Sequence, residues 1–511
     1  MSLRTRVHAL RPSNVVHQTR VVGKASIRTK DVDDVIHQND EEPGAIAEGG
    51  GGGLQKRLKA NDLIGFGIGI VIGTGIFTLT GVQAKNAAGP GIVISFLVAG
   101  VVAALAAVCY AELAAAVPTA GSSYTYAYTT IGEIFAWIIA WDLILEFALG
   151  SAVVARGWSG YLQDMFDLPT RWFGEDAVVN VGAVFIVLVV GVVATIGIRE
   201  SKIVTNALVL IKVAVCIFVI VVGAFYVKAA NFSPFIPPSQ DGKDLSELKQ
   251  PLWQWITGAD PTAFGVAGML SAAAVVFFAY SGFEAVANLG EETEKPGRDM
   301  PRGLIGTLAI CTVLYALVCL VLTGMVNYTE ISEGAPISNA FTVVGLDWAN
   351  VLVNIAAIAG LTSVLLVEIV ALGRIGFAVS RDGLIPKGVG EIHPRFHTPA
   401  RFSIGVTIFI AVLAAVIPLD ALAEMVSIGT LFALFVVAIA VIVLRRTKPT
   451  MKRPFRVPQV PIVPILAAVL CVALMTNLAT ETWLRFIVWF AAGILIYALY
   501  GFRHSKLRRR A

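Results

Sequence analysis

The chain is short of charge. Asp, Glu, Lys and Arg make up 14% of its 511 residues, against about 25% in a soluble globular domain. Hydrophobic residues reach 56%, so a soluble domain is excluded and a polytopic membrane protein is indicated. Histidine is missing from every apolar run: His8, His17, His37, His393, His397 and His504 all lie in polar stretches, which removes imidazole from any relay inside the membrane. The five cysteines, Cys109, Cys216, Cys311, Cys319 and Cys471, lie inside apolar runs without metal-pair spacing and read as packing residues. Walker A, Gly-x-Ser-x-Gly and His-Glu-x-x-His patterns are absent, which argues against an enzyme. No metal and no cofactor is expected. The net charge of +4 comes from basic residues placed between apolar runs, not clustered on one face, so no nucleic-acid partner is expected.

What the chain does have is a succession of apolar runs of the length that crosses a bilayer, about 20 residues each. Twelve spans are predicted, at 63–84, 91–117, 132–155, 178–197, 203–227, 268–290, 303–326, 349–379, 402–418, 422–444, 461–479 and 483–502. Residues 1–60 are polar and end in the run Gly49–Gly53, which predicts a mostly disordered tail without the apolar core of a cleaved signal peptide. The domain reading is therefore a tail at 1–60, a twelve-helix unit at 61–505 and a basic C-terminus at 506–511. Lys and Arg concentrate before span 1, after spans 4, 6, 8 and 10, and at the C-terminus, which predicts that both termini are cytoplasmic. The connection after span 2 has neither residue.

Two runs are broken by glycine. Ile72-Gly73-Thr74-Gly75-Ile76-Phe77 interrupts span 1, and Tyr280-Ser281-Gly282-Phe283-Glu284 interrupts span 6. Each opens a block of five spans, 63–227 and 268–444, with 461–502 left as two peripheral helices. Paired interruptions in two halves point to a transporter's substrate site. Unwinding at Gly73, Thr74 and Gly75 exposes backbone N–H groups at a helix end, where a carboxylate fits. Unwinding near Ser281 frees the carbonyls of Phe278, Ala279 and Ser281 to accept from an ammonium group. A site that takes both is an α-amino-acid site. The same glycines also fit close helix packing, since Gly65, Gly69 and Gly73 follow a small-xxx-small spacing.

These motifs carry a family resemblance. Ile72–Phe77 resembles the first-helix signature of the amino acid–polyamine–organocation superfamily. Tyr280-x-Gly282-Phe283-Glu284, Glu291-Glu292-Thr293-x-Lys295-Pro296, Ser380-Arg381-Asp382-Gly383 and Arg453-Pro454-Phe455-Arg456 are similar to its cationic amino acid transporter branch. The resemblance covers roughly residues 54–505. It implies an all-α polytopic protein with the leucine-transporter fold, a 5+5 inverted repeat with helices 1 and 6 broken. It also implies a substrate carboxylate on the backbone of Thr74 and Gly75, an amino group on Phe278, Ala279 and Ser281, and an aromatic gate at Phe283.

Ionisable residues inside spans are costly and are functional candidates by default. Lys212 lies in mid-span 5, where the resemblance implies either proton coupling or a fixed cation bonded to span 1 carbonyls. Asp142 and Glu146 share one face of span 3, and Glu146 matches the cationic branch. Glu368, mid-span 8, would pair with the end of a lysine, arginine or ornithine side chain, or else be protonated or paired with another helix. Glu112, Glu284, Glu291 and Glu292 sit near span ends, and the last two read as either a solvated helix end or an inner-gate ion-pair network.

The expected function is secondary active transport of amino acids by alternating access, proton-coupled or exchanging, with a preference for cationic substrates. A neutral amino acid permease, a polyamine–amino acid exchanger and a non-transporting sensor are the alternatives. The expected partners are a small-molecule amino acid, protons and the lipid bilayer. The expected location is the plasma (inner) membrane.

Overall fold

The computed structural model describes residues 57–117, 122–175, 177–197, 202–241 and 248–506. Most of the predicted disordered tail, 1–56, and most of the basic C-terminus, 507–511, lie outside the described residues. All twelve predicted spans are helical. They are α1 (Ala60–Val71), α2 (Ile92–Ala116), α3 (Glu133–Phe166), α4 (Val181–Ile196), α5 (Lys202–Gly223), α6 (Gly265–Val276), α7 (Pro296–Met325), α8 (Asp347–Arg381), α9 (Ala400–Val416), α10 (Leu419–Thr447), α11 (Ile462–Thr476) and α12 (Thr480–Ile496). The only sheet among the described residues is a two-residue pair, β1 (Gln240–Asp241) with β2 (Thr262–Ala263), in the long connection between α5 and α6. The spans are apolar on all sides, and in lipid a helix is the element that satisfies its own backbone.

Spans 1 and 6 depart from that rule where glycine occurs. α1 ends at Val71, Ile72 is extended (φ −74°, ψ 95°), and the chain resumes as a wide turn over Gly75–Leu79 before Thr80–Gln83 returns to α-helix. α6 tightens over Phe277–Tyr280, Ser281 is extended, and Gly282 takes φ 94° before a tight helix over Phe283–Glu292. That φ favours glycine.

The connections fit twelve crossings. Arg57 and Leu58, before α1, donate backbone N–H groups to the Glu292 carbonyl after span 6 (2.9 and 3.0 Å), and Glu294 N–H returns one to Leu58 (2.9 Å). Glu112 at the end of α2 pairs with Arg445 at the end of α10 (2.6 Å). Glu133 at the start of α3 accepts from Ser505 beyond α12 (2.5 Å), and Asp382 after α8 accepts Lys506 N–H on its carbonyl (3.1 Å). Starts of odd spans and ends of even spans thus meet on one face, here the terminal face. On the opposite face Lys85, after span 1, pairs with Glu333 between α7 and α8 (3.1 Å). Asp164 of α3 accepts there from Asn350 and Asn354 of α8 (3.0 and 2.9 Å).

Five spans are an odd number, so the second block enters the membrane inverted with respect to the first. Elements related by a two-fold axis and close to it touch their own equivalents. Accordingly α2 packs on α7, α3 on α8 and α4 on α9, and the two breaks touch each other.

Candidate functional site

The site is the point where the two breaks meet. A methyl on Gly75 would stand 2.4 Å from Ala279 Cα and 3.0 Å from Ala279 N, so this glycine lets the two backbones approach. At the α1 break the backbone ladder stops with Ile72 N–H to Ile68 (3.0 Å). It resumes with Ile76 and Phe77 N–H to the Gly73 carbonyl (both 3.3 Å), leaving the N–H groups of Gly73, Thr74 and Gly75 outside it. The hydroxyls of Thr74 and Thr78 are buried and have no hydrogen-bond partner among the described residues. Gly73 faces Val364 of α8 with room to spare: a methyl added there would stand 3.6 Å from the valine side chain, an ordinary contact distance.

The α6 break is held by side chains. Ser427 of α10 donates to the Val275 carbonyl (2.9 Å) and accepts from Phe278 N–H (3.1 Å). Of the three candidate amine acceptors, the Phe278 carbonyl accepts Ser281 N–H (3.0 Å) and the Ala279 carbonyl accepts the Tyr315 hydroxyl (3.1 Å). The Ser281 carbonyl stands outside these contacts, and each bonded carbonyl keeps a second lone pair. The single Tyr315 proton is shared with the nearer Val71 carbonyl (2.7 Å), so one α7 side chain bridges both breaks. Gly282 N–H points at both oxygens of buried Glu284 (3.1 Å each).

The charged candidates converge on the same point from α3, α5 and α8. Glu146 Oε1 accepts from Ser281 (2.7 Å) and from Thr430 of α10 (2.8 Å). One turn further along α3, Gly150 packs against Glu368, whose Oε1 lies 3.0 Å from where a Cβ would be. Glu368 is partly buried, and its Oε2 is shielded from solvent without a hydrogen-bond partner among the described residues. Lys212 is fully buried: its Nζ donates to the Gly69 carbonyl (2.5 Å) and its stem packs on Gly360. Gly360, Val364 and Glu368 recur every four residues, so one face of α8 meets Lys212, the α1 break and α3 in turn. The Lys212 to Gly69 contact joins α5 to the α1 segment just before the break.

Phe283 is fully buried and lies edge-on to Tyr110 of α2 (6.0 Å, 69°), which lies edge-on to Tyr126 (5.7 Å, 74°). Its ring thus belongs to an aromatic cluster between the break and the terminal face. On that face the ion pairs centre on Glu112, which holds Arg445 and Arg453 and accepts Val457 N–H (2.6 Å). Glu292 contributes its backbone carbonyl to the pairing with Arg57 and Leu58, and the Glu291 side chain lies outside the described residues. The ion-pair reading at Glu291 therefore lies outside the described residues, and Glu112 is a further ion-pair centre on this face, because Arg445 and Arg453 both reach α2.

Sequence reasoning missed Tyr315, Ser427 and Thr430. Their signal was present as polar side chains in apolar runs, with Ser427 and Thr430 three residues apart on one face of α10.

Known proteins share this chain's pattern along most of its length. Residues 58–499 match the family described as amino acid permease. The methylthioribose transporter of Bacillus subtilis (strain 168) is 42% identical over 466 residues, 89% of this chain and 95% of the relative. The branched-chain amino acid permease BcaP of the same organism is 39% identical over 94% of this chain and 99% of its own length. The vacuolar cationic amino acid transporter 4 of Arabidopsis thaliana is 36% identical over 83% of this chain and 67% of its own length.

Proposed function

This chain belongs to the amino acid permease family, and from that premise we propose that it is a secondary active carrier of amino acids with a preference for lysine, arginine and ornithine. The substrate carboxylate binds the N–H groups of Gly73, Thr74 and Gly75, and its ammonium group shares the carbonyls of Phe278, Ala279 and Ser281. The observation that carries the reading is the direct contact of the two breaks at Gly75 and Ala279, which sets unpaired N–H groups beside carbonyls at one point. Glu368 supports the cationic preference, because it brings a carboxylate oxygen without a hydrogen-bond partner among the described residues to the α3–α8 face beside that point. Glu146 accepts from the Ser281 hydroxyl and orients it.

In this reading Phe283 swings over the ligand as the gate on the terminal face. Lys212 fixes α1 to α5 and exchanges a proton during the cycle, or the carrier works by exchange. Alternating access rocks spans 1, 2, 6 and 7 about the site. Both termini are cytoplasmic, and the protein resides in the plasma (inner) membrane.

A second reading, a neutral amino acid permease, is favoured by the branched-chain permease that aligns along nearly the whole chain. Uptake of labelled arginine and leucine into proteoliposomes separates the two. Arginine uptake blocked by excess lysine and weakened selectively by Glu368→Gln is the expected result. Leucine uptake with little arginine uptake, or equal loss of both in the variant, assigns Glu368 to structure. Binding without flux moves the protein to the sensors.

A further inference from the structure

Asp142 is fully buried, and neither of its oxygens has a hydrogen-bond partner among the described residues. A buried, unpartnered acid needs a reason. As an ion it would lie without a counter-charge in a medium that penalises charge. The titratable groups that face it are carboxyls: Glu146 one turn along α3 and, beyond Glu146, Glu284 of the broken helix 6. From α10 it meets Gly429, whose Cβ position is 3.1 Å from Asp142 Oδ1, between the uncharged Ser427 and Thr430.

That turn of α10 links Asp142 to the site. Ser427 holds the α6 break at Val275 and Phe278, Gly429 lies on Asp142, and Thr430 joins Glu146 and Ser281. One turn of α10 thus touches both the break and Asp142.

We propose that Asp142 is a proton-binding residue coupled to the helix 6 break through the Ser427–Thr430 turn of α10. The inference rests on the reading of the chain as an amino acid carrier. In the packed arrangement the carboxyl group holds a proton taken from water as a neutral O–H. When the α10 turn shifts and water reaches Asp142, that O–H bond breaks and the proton returns to water. Asp142 is a positioning and coupling residue and touches no substrate.

The test is the ratio of labelled arginine or leucine uptake with and without an inward proton gradient, in sodium-free proteoliposomes holding the full chain. Coupling between two sites is worth roughly tenfold, so the wild-type ratio is expected near ten and the Asp142→Asn ratio near one. An Asp142→Asn ratio equal to wild type overturns the inference. If that variant does not fold, Gly429→Ala places a methyl against the carboxyl, and a displaced pH midpoint of uptake is expected; an unmoved midpoint overturns the inference. Wild-type flux indifferent to the gradient overturns it while leaving the carrier reading as an exchanger. Absence of any wild-type flux overturns the carrier reading itself, and this inference with it.

Discussion

The break in α1 and the break in α6 touch at Gly75 and Ala279, yet they are completed in different ways. At the first, three N–H groups stand outside the helical ladder and the Thr74 hydroxyl has no partner among the described residues. At the second, Ser427, Tyr315, Glu284 and Ser281 N–H each satisfy a freed backbone group. The difference follows from what each helix end offers. The α1 break presents donors, and satisfying them from within would require buried acceptors, which the apolar flanks of the break do not supply. The α6 break presents carbonyls with two lone pairs each, so hydroxyls from α7 and α10 can brace it and leave acceptor capacity for an ammonium group. Both breaks have carbonyls held by side chains, and the α1 break differs in keeping three N–H groups outside the ladder.

The strongest way to break this comparison is at the contact itself. Gly75→Val drives a side chain into the Ala279 backbone. Even ordinary overpacking costs about 1–3 kcal/mol, and backbone cannot step aside, so folded protein is expected to be lost on size-exclusion chromatography in detergent. A folded Gly75→Val protein would mean that the breaks do not meet. Tyr315→Phe removes the hydroxyl that bridges Val71 and Ala279 and leaves two buried carbonyls short of a donor. A stability loss of about 2 kcal/mol is expected, read as a lowered thermal unfolding midpoint.

Gly73→Ala sharpens the contrast, because the added methyl clears Val364 but lies on the α1 break. Its unfolding midpoint is expected to match wild type while substrate affinity falls roughly tenfold, about 1.4 kcal/mol, by a binding titration. Unchanged affinity would assign the glycines to packing alone. Ser427→Ala is the smallest test: it loses one brace of α6 and is expected to cost about 1 kcal/mol of stability in the same thermal assay.

Much of this is legible in the sequence. Twelve runs, two glycine interruptions and a buried lysine are local patterns, and the structure places helices, breaks and Lys212 where those patterns stand. The bridging role of Tyr315 is not legible, since nothing around it in α7 distinguishes a hydroxyl that reaches two breaks from one that bonds its own helix. Gly75 reads as a place for ligand approach, and the structure adds that Ala279 already lies against it. Basic residues near in sequence point to Glu291 and Glu292 for the inner-gate pairs. The structure adds pairs at Glu112, whose partners come from the far end of the chain.

The sequence by itself determined that the chain crosses the membrane, where the helices run and which two are interrupted. Length, hydropathy and glycine act on a segment regardless of its neighbours, because lipid is the same solvent for every run. Only the tertiary structure decided which buried polar groups are satisfied. Glu146 meets Thr430, Lys212 meets Gly69, and Asp142 meets a glycine. In a medium without water a polar group's state depends on the atoms brought to it by distant helices, and that is a property of the packed bundle.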